Sequence, residues 1–310
     1  MSPRISVITP SYQRAGTLAR LHESLLAQTF TDFEWVVVDD GSTDGTEAML
    51  AAWARDAPFP IRCRWQENAG KHAAVNRGVE LSKAQFCALM DSDDWYTPEA
   101  LERMLFHWDS IPIESRDEFA TVEGLCADPR GGVIGDRFPA QVFDSNTFET
   151  AFAEGITGDK IGMYRRDVLA EHPFPEDLGW HVTPALVWNR IAARWSSRSV
   201  NEVWAHKEYL SEGLSDRETE LRLRFSRAQL IFWREFAAMP RRMPLRVRSR
   251  ANANYLRYSL LCGVGLRRAL RRAPKLGWAL LALAPGLLLY RRDRSRLAAN
   301  PEIEIEDHSR

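Results

Sequence analysis

The chain has 310 residues, 45% of them hydrophobic, and a formal net charge of −1. That is enough for a real core in one large domain, or in one domain with an appendage. The four cysteines, Cys63, Cys87, Cys126 and Cys262, have no paired spacing, which excludes a disulfide frame or zinc site and points to a reducing compartment. No run reaches the roughly 20 apolar residues of a spanning helix, and a strand-like start at Ile5 leaves no room for a signal peptide. The near-neutral total hides an asymmetry. The front of the chain is acid-rich, whereas Arg241 to Arg296 holds many arginines and almost no acid. Such a split suggests that the tail faces something anionic.

In chain order, Ile5 to Thr9 (ISVIT) is apolar and β-branched and predicts a strand. Ala15 to Gln28 has helical spacing through Leu18, Leu21, Leu25 and Leu26. Phe33 to Val38 (FEWVVV) predicts the second strand, Thr46 to Trp53 a helix and Ile61 to Gln66 a third strand. Asn68 to Gly70 makes a turn, and a helix follows from about Lys71 to Leu81. Phe86 to Met90 predicts a fourth, buried strand. Thr97 as cap and Pro98 in the first turn predict the start of a helix reaching Trp108. Alternating buried strands and helices imply a parallel sheet covered on both faces. Ligands of such sheets sit outside the carboxyl ends of the strands, where this chain places its polar clusters: Ser11 and Tyr12, then Asp39, Asp40 and Ser42, then Asn68, Gly70 and Lys71, then Asp91 and Asp93.

The fourth cluster is the most demanding. Asp91, Asp93 and Asp94 follow directly on an apolar strand, and carboxylates there are costly to bury unless something positive meets them. A divalent metal carrying a diphosphate is the natural partner, because hard cations share themselves between one or two carboxylates and substrate phosphates. An acidic turn capping the next helix is the plain alternative. The first strand is followed by PSYQRAG, without the glycines of a dinucleotide-binding fold, and no phosphate-binding G-x-x-x-x-G-K-[ST] loop is present. Asp40 suits hydrogen bonds from an imide N–H or a ribose hydroxyl, and ligand contact is the favoured reading for it; for Asp39 a turn and helix cap is an equal reading.

Four stretches, ISVITPSYQR, VVVDDGSTDGT, NAGKHAAVNRG and LMDSDDW, in this order and spacing, resemble the front half of a family-2 glycosyltransferase with the GT-A fold. The resemblance is strong from Ile5 to Trp108 and weaker to about Asp216. It implies a Rossmann-like, mostly parallel sheet flanked by helices and a nucleotide-sugar-dependent transferase. Carried over by position, Thr9, Pro10 and Tyr12 would line the uracil and ribose pocket and Asp40 would take the base. Asn68 and Lys71 would flank the nucleotide and diphosphate. Asp91 would contact the ribose or the metal-bound diphosphate, and Asp93 would ligate Mg²⁺ or Mn²⁺.

Further on, Phe119 to Asp128 and Val133 to Asp136 flank a turn-rich ADPRGG and predict a hairpin. Thr147 to Ala153 reads as helix, Gly158 to Tyr164 as strand, Arg165 to Ala170 as helix, Pro184 to Arg194 as helix and Val200 to His206 as strand. This region resembles the acceptor half of the same family, where a carboxylate near the start of the Pro184 helix serves as general base. Here the sequence departs from the pattern, with Thr183, Pro184 and Ala185 where an acid is expected. The candidates nearby are Asp177, then Glu176, then His181. Trp180 could belong to an acceptor platform, although tryptophans at this density are also core material. Gly213 to Asp216 closes the domain.

Asp216 to Met239 reads as one long helix and Leu245 to Arg272 as another. Leu276 to Tyr290 is apolar, flanked by arginines, too short to span a bilayer, and expected to break at Pro285 and Gly286. It fits a shallow membrane anchor or a buried C-terminal helix. Pro301 to Arg310 is expected to be a disordered acidic end. The sequence thus predicts a glycosyltransferase domain over 1–215, a basic helical tail over 216–300 with membrane-surface attachment through 241–296, and an end over 301–310. The expected activity is metal-dependent, inverting hexosyl transfer from a UDP-sugar to a lipid-linked or polysaccharide acceptor of the cell envelope, with no nucleic-acid partner. The expected location is cytoplasmic and peripheral, on the inner face of the plasma membrane. The alternatives are a non-catalytic nucleotide-sugar-binding protein or partner subunit and, less well matched, a nucleotidyltransferase.

Overall fold

The computed structural model describes residues 2–208 and 218–305. The predicted closing segment Gly213–Asp216 and the last five residues lie outside these. Contact density divides the chain into two compact units, one of residues 1–174 and 190–209 and one of residues 175–189 and 210–310. The segment that precedes the Pro184 helix therefore groups with the C-terminal helices.

The first unit is a nine-stranded sheet in the order β3-β2-β1-β4-β8-β6-β9-β5, with β7 attached to β9. Its strands are β1 (Ile5–Ser11), β2 (Phe33–Asp39), β3 (Ile61–Trp65), β4 (Phe86–Leu89), β5 (Trp95–Tyr96), β6 (Phe119–Ala127), β7 (Val142–Ser145), β8 (Lys160–Arg165) and β9 (Ser196–His206). The first four are parallel, as the alternation with helices requires. β8 runs antiparallel to β4 and β6, and β6 is parallel to β9. The unit's helices are α1 (Ala15–Leu26), α2 (Thr46–Asp56), α3 (Lys71–Leu81), α4 (Ala100–Asp109), α5 (Thr147–Phe152) and α6 (Arg166–Glu171). Leu18, Leu21 and Leu25 of α1 join Trp35 and Val37 of β2 in a fully buried core, as their helical and strand periods dictate.

Two local expectations fail for a tertiary reason. Thr97 does not cap α4, which starts at Ala100; its hydroxyl turns to the Trp204 carbonyl of β9 at 3.3 Å. The hairpin after β6 reduces to a tight turn with one isolated bridge, Ala127 to Val133, and no second strand. The buried charge of Glu34 is satisfied. Glu34 is wholly buried and accepts from Ser6 Oγ at 2.6 Å, Arg62 Nε at 2.5 Å and the Lys83 amide at 2.8 Å.

Glu202, on β9, accepts two hydrogen bonds from Arg103, at 2.6 and 2.9 Å, and lies 2.9 Å from His107 Nε2. The Arg103 hydrogen bonds hold its carboxyl down at about 2 against the opposing effect of burial, with help from His107 and Trp204. A carboxyl lower in the folded state than its ordinary 4.5 adds stability above that ordinary value, lost as pH falls through the folded one. Glu202→Gln is therefore expected to lower Tm at neutral pH and to flatten the loss of Tm between pH 4.5 and about 2. Melting curves over that range check it.

Gly135 and Gly158 meet backbone to backbone. A Cβ on Gly158, at φ +85°, would stand 2.5 Å from Gly135 Cα and 2.5 Å from the Ile134 carbonyl oxygen. Neither neighbour is a side chain that can swing away. Gly158→Ala is expected to cost about 2–4 kcal/mol, read as a fall in the denaturation midpoint.

The second unit holds the first half of α7 (Ala185–Arg194), residues 185–189, and the second half, residues 190–194, belongs to the first unit. It also holds α8 (Glu218–Arg224), α9 (Ser226–Ala238), α10 (Leu245–Leu261), α11 (Leu266–Arg271), α12 (Leu276–Leu281) and α13 (Leu283–Ala299). Each long predicted helix is thus divided, at Phe225 and after Leu261. The apolar stretch breaks at Ala282 and not at Pro285, which falls in the first turn of α13, where its missing N–H has no intrahelical partner to lose. Arg257 of α10 forms a two-pronged ion pair with the buried Asp293 of α13. No helix among the described residues is long and apolar enough to cross a membrane.

Candidate active site

The parallel strands β1 to β4 end on one rim of the first unit. Register sets Ser11 beside Asp39 and Asp39 beside Trp65, while the Met90 amide bonds Ile8. The polar residues after each strand therefore converge, as parallel topology demands.

On the β1–β2 side, Thr9 is fully buried and its hydroxyl accepts from the Trp35 indole at 3.0 Å. Pro10 is buried, and Tyr12 stands at the rim, 49% exposed. Gln13 adopts φ +55°, a left-handed conformation uncommon outside glycine. Its amide donates to Ser42 Oγ at 2.8 Å, which laces the loop after β1 to the loop after β2. Asp40 is buried. Its Oδ1 accepts from Gln66 Nε2 at 2.7 Å and the Ala69 amide at 2.9 Å, and its Oδ2 from the Gly70 amide at 2.9 Å. A carboxylate has about four acceptor positions, so Asp40 anchors the Asn68–Gly70 turn and keeps one position for a further donor. Gly70 takes φ +94° and ψ +156°, a region that only glycine adopts without strain, and so aims α3 at the rim. Asn68 is exposed on this turn. At the floor of the rim, Ser11 Oγ and Asp39 Oδ2 are buried without a hydrogen-bond partner. Buried polar groups are normally satisfied, so this pair leaves one hydroxyl and one carboxylate oxygen at these strand ends with hydrogen-bonding capacity unused.

On the β4 side, Asp91, Asp93 and Asp94 bring oxygen atoms within 4.8 Å of one another. The Asp94 amide closes the turn onto the Asp91 carbonyl at 3.2 Å. Lys71, the first residue of α3, reaches Asp91 at 2.6 Å. Lys207, one residue beyond β9, reaches Asp94 at 2.8 Å, Asp159 at 3.4 Å and Asp91 at 3.7 Å. Asp93 has Arg14 at 3.9 Å, and its backbone carbonyl accepts from Arg20 at 2.8 Å. The Arg20 guanidinium also lies over the Trp95 ring, 3.8 Å from its centroid, and bonds Glu208 at 2.7 Å.

These contacts set the protonation pattern. Burial opposes ionisation of Asp91, but the ammonium groups of Lys71 and Lys207 outweigh it and bring its carboxyl to about 2. Burial dominates at Asp94 and pushes it up to about 7 despite Lys207. Lys207 is itself desolvated, yet Asp91, Asp94 and Asp159 hold it charged far above the ordinary lysine range.

The donor set is all carboxylate oxygen, the chemistry of hard divalent cations. Asp91 and Asp94 each have an ammonium within 2.8 Å, whereas the nearest cation to the Asp93 carboxylate is at 3.9 Å. The residues thus fit a divalent cation, with Asp93 the least committed ligand. Lys207, Asp159, Arg14 and Arg20 are the rim residues that sequence reasoning misses. Of these, Arg14 lies inside the quoted stretch ISVITPSYQR and could have been found there.

The three base candidates lie in the second unit. Asp177 is exposed and sits 3.5 Å from Arg227 of α9. The His181 and Trp180 rings pack around Phe225, at 6.0 and 5.2 Å. Thr183 Oγ1 accepts from Gln229 Nε2 at 2.8 Å, and Pro184 precedes the first turn of α7.

The family model described as "Glycosyl transferase family 2" matches residues 6–171. YibD, an uncharacterized glycosyltransferase of Escherichia coli K12, is 25% identical over 224 residues, covering 67% of this chain and 63% of its own length. TarS 1–349 of S. aureus, solved with UDP-GlcNAc, superposes with a TM-score of 0.57 at 17% identity, over 94% of this chain and 92% of that one. The mannosyltransferase PcManGT of Pyrobaculum calidifontis, solved with GDP-Man and Mn²⁺, gives 0.57 at 19% identity, over 97% and 82%. A mostly parallel sheet ending in an aspartate-rich rim, together with a family match over more than half its length, makes this chain a member of glycosyl transferase family 2 with the GT-A fold.

Proposed function

We propose that the chain moves a sugar from a UDP-sugar to a lipid-linked or polysaccharide acceptor, with Mg²⁺ or Mn²⁺ and with inversion at the anomeric carbon. The observation that carries this reading is the rim of the first unit. An acidic cluster compensated by two lysines stands on the same strand ends as Asp40, which keeps an acceptor position, and as the unpartnered Ser11 and Asp39 oxygens. Thr9, Pro10, Tyr12 and Asp40 would enclose the nucleoside, and Asn68, Lys71 and Asp91 would face the ribose and diphosphate. Asp93 would hold the cation, with Asp91 beside it. A divalent cation bound there supplies charge neutralisation to the departing diphosphate. In the transfer the acceptor oxygen bonds to the anomeric carbon, the bond from that carbon to the diphosphate oxygen breaks, and the acceptor proton passes to a carboxylate. We assign that carboxylate to Asp177, with Glu176 as the other carboxylate and the His181 imidazole as a third candidate base. The catalytic region is assigned to 1–215, and the basic helical region 216–300 is assigned to the cytoplasmic face of the plasma membrane, where a lipid-linked acceptor would lie.

Nucleotide release from a panel of UDP-, GDP- and dTDP-sugars tests the reading. Metal-dependent release from a UDP-sugar is expected, lowered about 10²-fold or more in Asp177→Asn. Release from GDP-sugars alone would overturn the donor assignment. The non-catalytic alternative is favoured by Pro184 at the position where the family pattern has an acid. Under it, a nucleotide sugar binds in a metal-dependent way and is never cleaved, with or without acceptor glycolipid.

A further inference from the structure

The second unit carries helices built inside out. Along α12 and α13 the inward positions are small: Ala279, Ala282 and Gly286 are buried. A Cβ on Gly286 would stand 3.0 Å from the Ala253 carbonyl oxygen and 3.1 Å from Leu256 Cβ of α10, so these helices lie close on their neighbour. Leu283 packs inward against the Tyr255–Leu256 cluster, but four other leucines point the other way. Leu276, Leu280, Leu281 and Leu288 are 53%, 52%, 73% and 70% exposed. Their spacing, with exposed Ala284 between, puts them on one stripe at helical period. A globular helix normally reverses this arrangement, with its large apolar side chains against the core.

Charge identifies what covers the stripe. Exposed Arg271, Arg272 and Lys275 precede it, and exposed Arg291, Arg292 and Arg294 follow it. No acidic residue lies between Glu235 and Asp293, and Asp293 is buried against Arg257. A second copy of this chain laid on the stripe would bring arginine against arginine, which opposes a self-complementary contact. Exposed leucines with guanidinium groups at both ends match the boundary between acyl chains and anionic headgroups, where arginine meets phosphate and leucine leaves water.

We infer that α12 and α13 form an in-plane docking surface for a bilayer containing anionic phospholipid, with Leu280, Leu281 and Leu288 entering the acyl boundary and Arg291 and Arg292 contacting phosphate. The inference rests on the membrane placement proposed above and is independent of the donor chemistry.

Flotation of the full chain with vesicles tests it. One set is pure phosphatidylcholine and the other contains phosphatidylglycerol at about a quarter of the lipid. The chain is expected to float with the anionic set and not the neutral one, and its binding is expected to fall about tenfold or more on raising salt from low to several times physiological. The triple variant Leu280→Asp, Leu281→Asp, Leu288→Asp and the pair Arg291→Glu, Arg292→Glu are each expected to lose flotation with an unchanged Tm, because these side chains are exposed. Nucleotide release in solution is expected to be unchanged in both. That separates failure of the docking surface from failure of the transferase reading. Equal flotation of wild type and the leucine variant overturns the inference. So does a wild-type dimer by light scattering that the leucine variant converts to monomer without any vesicle binding.

Discussion

Asp93→Ala is expected to lower metal-dependent nucleotide release by about 10²–10³-fold, the range for loss of one preorganised group that stabilises developing charge. The argument comes from the division of labour in the cluster. Asp91 is engaged by Lys71 at 2.6 Å and Asp94 by Lys207 at 2.8 Å, while the cation nearest the Asp93 carboxylate, Arg14, is at 3.9 Å. Both lysines remain when Asp93 is removed, so the turn keeps its internal ion pairs and Tm is expected to stay close to wild type. The backbone of residue 93 is held independently of its side chain, because Arg20 bonds its carbonyl. Calorimetric titration with Mn²⁺ and a nucleotide-release assay on the same preparation check both halves. Unchanged metal affinity in the variant would move the ligand role to another carboxylate.

Lys207→Met is expected to act first on stability. The ammonium of Lys207 faces Asp91, Asp94 and Asp159, and the Asp94 side chain is only 5% exposed. Removing one partner of a buried pair leaves the other charge uncompensated, which costs about 3–5 kcal/mol. Asp94 already stands at about 7 with Lys207 in place, because burial penalises its charged form, and losing the ammonium drives it further up. A carboxyl with a raised folded value contributes stability in its protonated form, lost as pH rises. The destabilisation by Lys207→Met is therefore expected to be larger at pH 8 than at pH 6. A divalent cation restores positive charge to the cluster, so Mn²⁺ is expected to raise the Tm of the variant more than that of wild type. Melting curves at both pH values, with and without Mn²⁺, test this. Equal melting temperatures for variant and wild type at both pH values would show the lysine to be replaceable by solvent.

The two variants separate two uses of charge in one site. Asp93 can be removed without breaking a close ion pair and so reports on ligand binding. Lys207 is the fixed positive charge that allows four carboxylates, Asp91, Asp93, Asp94 and Asp159, to share a small region. Three acids on one short turn would otherwise repel each other.

Much of this protein is written locally. Continuous apolar runs gave the parallel strands β1, β2 and β4 within a residue or two, because a strand covered on both faces has no alternation to disguise it. The strand–helix alternation fixed parallel pairing, and parallel pairing brought the residues after β1 to β4 onto one rim. The family, the acidic cluster and Asp40 were legible for that reason. Local signals misled where a distant strand competed. Thr97 has the chemistry of a cap, but β9 offers it a carbonyl. Val133 to Asp136 has the turn signals of a hairpin but makes a single bridge. In the tail, helical period could not show that Leu280 and Leu288 face outward while Ala279 and Gly286 face inward, because period defines a stripe and leaves open which stripe is buried.

The neutralisation of the acidic cluster, by contrast, depends on long-range strand pairing. β5 pairs antiparallel with β9, Trp95 opposite His206. That register puts Lys207 opposite Asp94, although the two are far apart in the chain. Nothing near Lys207 in the sequence distinguishes it from a solvated lysine after a strand, because its partners come from a pairing that no local period or motif encodes. The carboxylates, the strand ends that carry them and the turn that aims Lys71 follow from local sequence. The fold determined the second cation, since Coulomb attraction acts over ångströms in space and is indifferent to separation along the chain.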